Sequence, residues 1–136
     1  MSGKINYAKQ FAGCGITLMD RVQGNGGANI TQSDITSIAY TVTRYGSKEE
    51  AEDEDSGTVT ISSTALTKTT VVFNALQTAS PWDSTADATG YNFRYDSPAA
   101  DRPDTATGVT WDRYNVTFTP ASGAAFRVCW VVETLP

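Results

Sequence analysis

The side chains of this chain that could do chemistry are a run of acids, two thiols and a scatter of aromatic rings. Glu49, Glu50, Glu52, Asp53, Glu54 and Asp55 fall within seven positions. Carboxylates so close together either make a solvated loop or gather a hard cation such as Ca²⁺, which takes oxygen ligands. Asp53 and Asp55 are spaced like the opening of an EF-hand loop, but its glycine and its twelfth-position glutamate are missing. Cys14 and Cys129 stand near opposite ends and form no CxxC pair. They read as small buried thiols. A disulfide between them requires the first and last strands to be neighbours, with Cα atoms within about 7 Å. Histidine is absent, which removes the commonest general base and metal ligand and any Ser-His-Asp or Cys-His arrangement. A glycosidase pair of carboxylates is conceivable in principle, but the acids cluster in loops with no cleft pattern around them. The glycine cluster Gln23-Gly-Asn-Gly-Gly27 is followed by neither Lys-Ser/Thr nor a helix, so it reads as a turn, not a phosphate loop. The expectation is a non-enzymatic protein with no catalytic, metal-binding or cofactor-binding residues.

The aromatic residues remain. Trp82, Tyr91, Trp111, Tyr114 and Trp130 could stack sugars, or could serve as core and subunit-contact residues, the two places that aromatics dominate. Tyr91 and Trp130 lie in alternating runs and read as core. Trp111 lies on the face opposite Tyr114 and beside Arg113, which makes it a surface-contact candidate. Trp82 stands in a loop and could fold over a sheet edge.

The elements that must position these residues are strands. Across 109–119, Tyr114, Val116 and Phe118 alternate with Asn115, Thr117 and Thr119. Across 124–134, Phe126, Val128, Trp130 and Val132 alternate with Arg127, Cys129, Val131 and Glu133. Period two places each apolar set on one face of a pleated strand. The Pro120-Ala-Ser-Gly123 break between them supplies turn chemistry. Earlier strands must cover the apolar face of this hairpin, because a lone hairpin is marginal in water. Those strands are read at 14–22, 36–45, 58–62, 69–73 and 89–97, with one helical turn at 74–78 and a capped turn at Thr31-Gln-Ser-Asp34. Residues 46–57 and 98–108 read as loops, the second because its prolines cannot donate to a ladder.

Seven short strands separated by turn clusters predict an all-β, antiparallel two-sheet sandwich, with the pairing order left open. The organisation expected is an N-terminal arm, residues 1–13, and a sandwich domain, residues 14–136. The arm carries Ile5, Tyr7 and Phe11, more large apolar surface than a solvated tail usually has, and reads as packing on a neighbouring subunit.

A chain of 136 residues suits one domain with its own core. The net charge of −5 argues against a phosphate-binding surface, so no nucleic-acid partner is expected. No apolar run approaches the roughly 18 residues of a membrane span, and the opening residues lack the apolar core of a signal peptide. Assembly in a reducing cytoplasm is the expectation, which lowers the odds of a disulfide.

Several blocks together resemble small structural proteins of tailed bacteriophages. These are Ile30-Thr-Gln-Ser-Asp-Ile35 with Ser37-Ile-Ala-Tyr-Thr-Val42, then Val72-Phe-Asn-Ala-Leu-Gln-Thr78, Trp82 and Thr89-Gly-Tyr-Asn-Phe-Arg94. Tyr114-Asn-Val-Thr-Phe-Thr-Pro-Ala-Ser-Gly123 and Phe126-Arg-Val close the series. The resemblance spans residues 16–132, and the order of the blocks is more specific than any one of them. It implies an immunoglobulin-like sandwich and a virion location. The role implied is a capsid decoration or cement protein that stabilises the head lattice. Its partners would be the major capsid protein or other virion proteins, with sister copies on the particle. A tail, neck or baseplate component and a surface carbohydrate-binding module are the alternatives. The resemblance supplies no catalytic residues. The chain departs from the pattern in its N-terminal segment and in the acidic insertion 48–55. Ile5, Tyr7, Phe11, Trp82 and Trp111 are the expected partner contacts.

Overall fold

The computed structural model describes residues 5–78, 89–103 and 108–136. The chain is mostly β, in two packed sheets. The described residues form eight strands: β1 (Ile5–Phe11), β2 (Ile16–Asp20), β3 (Ile35–Tyr45), β4 (Thr58–Leu66), β5 (Val72–Gln77), β6 (Tyr91–Ser97), β7 (Thr110–Pro120) and β8 (Phe126–Leu135). One sheet has the order β1-β8-β7-β3-β4 and the other β2-β6-β5. Two short helices, α1 (Lys48–Asp53) and α2 (Lys68–Val71), interrupt the strands. Among the described residues no helix is long and apolar enough to cross a membrane.

The closing hairpin forms as its periodicity requires. Tyr114 pairs with Trp130, Val116 with Val128 and Phe118 with Phe126. Their side chains meet Tyr40 and Val42 of β3 and, from the other sheet, Leu18 and Phe93. Phe93 lies 5.6 Å from the Phe118 ring and 5.5 Å from Trp130, so aromatic contacts bridge the two layers. Each such fully buried side chain contributes about 1.5–3 kcal/mol against leaving it exposed. The turn at Thr31 also forms as expected: the Asp34 carboxylate accepts from the Thr31 amide at 3.0 Å, closing a reciprocal cap on a 3-10 turn over Gln32–Asp34.

Several expectations need correction. Residues 5–11 of the expected arm are strand β1, running parallel to β8 with Ile5 opposite Cys129 and Phe11 opposite Leu135. The sandwich is therefore not wholly antiparallel, and its described residues form eight strands where seven were expected. The arm reading failed because β1 alternates the wrong way round. Asn6, Ala8 and Gln10 face the interior at an edge where only Ala8 packs on the core, while Ile5, Tyr7 and Phe11 face outward. The strand expected at 69–73 is largely α2, and the helical turn expected at 74–78 is strand β5. Val71 and Val72 are both buried, so a helical turn running into a strand hides the same apolar pair that a strand through 69–73 would have split between two faces. The loop expected at 46–57 contains α1. Ser47 caps it, accepting from the Glu50 amide at 3.2 Å, and Glu49 and Glu50 lie in the first turn, where the helix dipole favours negative charge.

Polar side chains also lie between the sheets. Asp112, fully buried, takes a two-pronged pair from Arg44 at 2.8 and 3.0 Å and a hydrogen bond from the Thr134 hydroxyl at 2.5 Å. Buried Asp101 accepts from Tyr40 and from Ser97, each at 2.9 Å. Ser97 has only one proton to give, so at 2.6 Å the Tyr114 hydroxyl donates to it. Arg102, fully buried, donates to the main-chain oxygens of Phe11 and Cys14 and so holds the crossover from β1 to β2. Gly13 makes the crossover turn with φ of +72°, a conformation that favours glycine. Cys14 and Cys129 are free. Cys129 sits opposite Ile5 at one end of β1 and Cys14 lies beyond Phe11 at the other, roughly 20 Å of strand away. That is far outside disulfide range.

Candidate interaction surface

The outer face of the five-stranded sheet collects most of the expected contact residues. Register places Ile5, Tyr7, Lys9 and Phe11 of β1 on this face, beside Cys129, Val131, Glu133 and Leu135 of β8. Next come Asn115, Arg113 and Trp111 of β7, then Thr41, Thr43 and Tyr45 of β3. A sheet face carrying Val131 and Cys129, both buried, cannot be open to water, and α1 is what covers it. Ala51 of α1, fully buried, packs with Val131 and Tyr45, and Ile5 and Trp111 close the edges of this second small core.

Arg113 pins the helix to the sheet. Its guanidinium donates to the carbonyl oxygens of Ala51 at 2.8 Å and Glu52 at 3.0 Å. These belong to the last turn of α1, whose carbonyls have no partner within the helix and favour a cation. Arg113 also meets Glu54 at 3.2 Å and donates to Asn115 at 2.8 Å and to the Cys129 sulfur at 3.2 Å. Glu54 is shared with Arg127 at 2.7 Å. Burial pushes the Cys129 thiol above its ordinary value, with Arg113 acting in the opposite direction. A thiol held neutral is a poor nucleophile and a poor metal ligand.

Beside α1 the face opens. Tyr7, Lys9, Lys48, Trp111 and Glu133 line a shallow hollow of about 330 Å³. Lys48 stands 4.8 Å from the centre of the Tyr7 ring, a cation–π distance. The Tyr7 hydroxyl donates to Glu52, and that bond raises its pKa above the ordinary tyrosine value. Lys9 and Glu133 pair at 3.7 Å across the rim. Phe11 and Val109 are exposed, with Leu135 opposite Phe11.

Of the expected contact residues, the fold brings Ile5, Tyr7 and Trp111 together around α1, and Phe11 lies on the same face further along β1. Ile5 and Trp111 are half-buried, whereas Tyr7 and Phe11 are 52% and 55% exposed, so the last two are the free ones. Trp82 lies outside the described residues. Arg113 and the acidic helix were missed as parts of this surface. The signal existed: Ser47-x-x-Glu50 has the spacing of a helix cap, and it precedes Ala51.

The buried hydroxyl cluster is the only other concentration of reactive groups among the described residues that merits a chemical reading. Burial pushes Tyr114 up to about 12 and Tyr40 up further, with hydrogen bonds to Tyr95 and Asp101 adding to the effect at Tyr40. Hydroxyls held neutral between two sheets tie the layers together and are not poised to transfer protons. Among the described residues no three Cys, Asp or Glu side chains converge as a metal site would need. Comparison with protein-family models, with curated proteins and with solved structures gave no match.

Proposed function

We propose that this chain is a non-enzymatic structural protein of a tailed-bacteriophage particle, acting as a capsid decoration or cement protein. The observation that carries the reading is the outer face of the five-stranded sheet, where Tyr7 and Phe11 of a seven-residue edge strand and Trp111 of β7 lie on one side. A rigid sandwich presenting such a face adds small contacts to a repeating lattice, and symmetry multiplies them into avidity. A cement that binds the assembled shell and not its free subunits stabilises the shell by mass action. The sandwich is read as immunoglobulin-like. With β2 to β8 taken as strands B, C, C′, D, E, F and G, the sheets have the orders β1-G-F-C-C′ and B-E-D, which supports a variable-type reading. In place of an inter-sheet disulfide the layers share the buried Asp101–Ser97–Tyr114 network.

Copy number in purified particles tests the proposal. Hundreds of copies per particle are expected. A few or a dozen would move the protein to the tail, neck or baseplate, and absence from particles would end the virion reading. A carbohydrate-binding role has one observation in its favour, the pairing of Tyr7 and Trp111 around a hollow rimmed by Lys9, Lys48 and Glu133. A glycan array with no signal above background removes it.

A further inference from the structure

We infer that β1 is a self-complementary edge that pairs antiparallel with β1 of a second copy about a twofold axis at Ala8. The argument starts from backbone phase. The Ala12 amide donates to the Leu135 oxygen at 2.8 Å, so the peptide groups of Gln10, Ala8 and Asn6 also turn toward β8. Those of Ile5, Tyr7, Lys9 and Phe11 alternate with them and turn away from the sheet. The Phe11 amide finds its partner in the side-chain oxygen of Gln10, at 2.9 Å, and the Phe11 oxygen accepts from the Cys14 amide and from Arg102, so the peptide groups left open along the edge are those of Ile5, Tyr7 and Lys9.

An open, regular edge of this kind is normally blunted by prolines, bulges or several charges. The opposite edge of the same sheet, β4, has shifted register against β3 at two points, as bulges produce. β1 has seven successive partners on β8 without a shift, no proline, and Lys9 as its one charge.

The sequence of β1 identifies the occupant. Ile-Asn-Tyr-Ala-Lys-Gln-Phe is self-complementary about its central alanine. An antiparallel pair centred there sets Ile5 against Phe11 of the second copy, both apolar. Asn6 meets Gln10 of the second copy, amide against amide. Tyr7 meets Lys9 of the second copy, ring against cation, and like charges never stand directly opposite. The backbone phase agrees with this register. Tyr7 and Lys9 of the second copy both point their peptide groups into the new seam and exchange both hydrogen bonds, while Ala8 and its mate form a non-hydrogen-bonded pair. An interface that uses one patch twice is what a twofold dimer requires. The pairing joins the two five-stranded sheets into one and places both copies of Tyr7 and Phe11 at its centre. It does not depend on the chain belonging to a particle.

Engineered cross-linking in the full chain tests the register. In a non-hydrogen-bonded antiparallel pair the Cα atoms are about 4.5 Å apart, within disulfide range. With Cys14→Ser as background, Ala8→Cys is expected to give a covalent dimer on mild oxidation. Asn6→Cys alone is expected to form no covalent dimer, and a mixture of Asn6→Cys and Gln10→Cys to cross-link. Tyr7→Pro removes an amide that faces the seam and leaves the β8 ladder intact, so it should raise the dimer dissociation constant at least about tenfold with an unchanged circular-dichroism spectrum. Sedimentation equilibrium of the unsubstituted protein that fits a monomer up to about 1 mM would overturn the inference. A dimer that Ala8→Cys does not cross-link would overturn it equally, whatever becomes of the proline variant.

Discussion

The guanidinium of Arg113, on β7, lies 2.8 Å from the carbonyl oxygen of Ala51 in the last turns of α1. One buried cation on the sheet thus takes the place of the missing hydrogen bonds at the end of a six-residue helix. A helix so short is unstable by itself, and its docking depends on this contact and on Ala51. Removing one partner of a buried charged network leaves the rest desolvated and unpaired, at about 3–5 kcal/mol. Arg113→Met is expected to lose about that much in urea denaturation. Amide exchange should quicken in α1 while β3 and β7 keep their protection. A loss under about 1 kcal/mol would show that α1 is held by apolar contact alone.

Asp112 and Arg44 make the second test. Both lie between the sheets, and Asp112 has no exposed surface. Asp112→Ala should cost about 3–5 kcal/mol, because it strands the Arg44 cation. The double substitution Asp112→Leu with Arg44→Met should recover a large part of that loss, since apolar replacement of a whole buried pair is often neutral. A double variant as unstable as the single one would mean that the pair organises its surroundings beyond its own charges.

Stability at high pH follows from the tyrosines. Tyr114 is pushed up to about 12 by burial, and Tyr40 is raised in the same direction. An unfolded chain releases these protons near pH 10. The folded state holds them longer, so their contribution is whole below pH 10 and is lost as pH rises toward 12. Unfolding free energy should fall over that window, and Tyr114→Phe should flatten the fall while costing about 1 kcal/mol at neutral pH for the lost Ser97 bond. A pH profile for Tyr114→Phe that overlays the parent would assign the loss to other groups.

Thiol chemistry gives a quick check of the topology. Cys14 is exposed and Cys129 is buried beside Arg113 with its thiol held neutral. A disulfide-exchange reagent should modify one thiol per native chain and both after unfolding. Two fast thiols in the native protein would mean that α1 does not cover β8. No reactive thiol would mean that the cysteines are bridged, which the register of β1 on β8 forbids.

The apolar faces of β3, β6, β7 and β8 were legible in the amino-acid order because period two is a local property of a pleated strand. Tyr40 and Val42, Tyr91 and Phe93, Tyr114 and Phe118, Val128 and Trp130 each had to share a face once their segments were extended. The reciprocal cap between Thr31 and Asp34 was legible for the same reason, since its partners are three residues apart. These features belong to the chain itself, whatever surrounds it.

Other features were decided only by the assembled fold. Val131, Cys129 and Arg113 look solvent-facing by alternation, and they are buried because α1, some sixty to eighty positions earlier in the chain, lies across them. Ile5, Tyr7 and Phe11 look like an arm, and they are a strand because β8 offers a free edge running the same way. Burial on the second face of a sheet, and the choice of neighbour at its edge, depend on contacts between segments far apart in the chain. No local periodicity encodes them, so the candidate surface exists only after the two layers and the helix have come together.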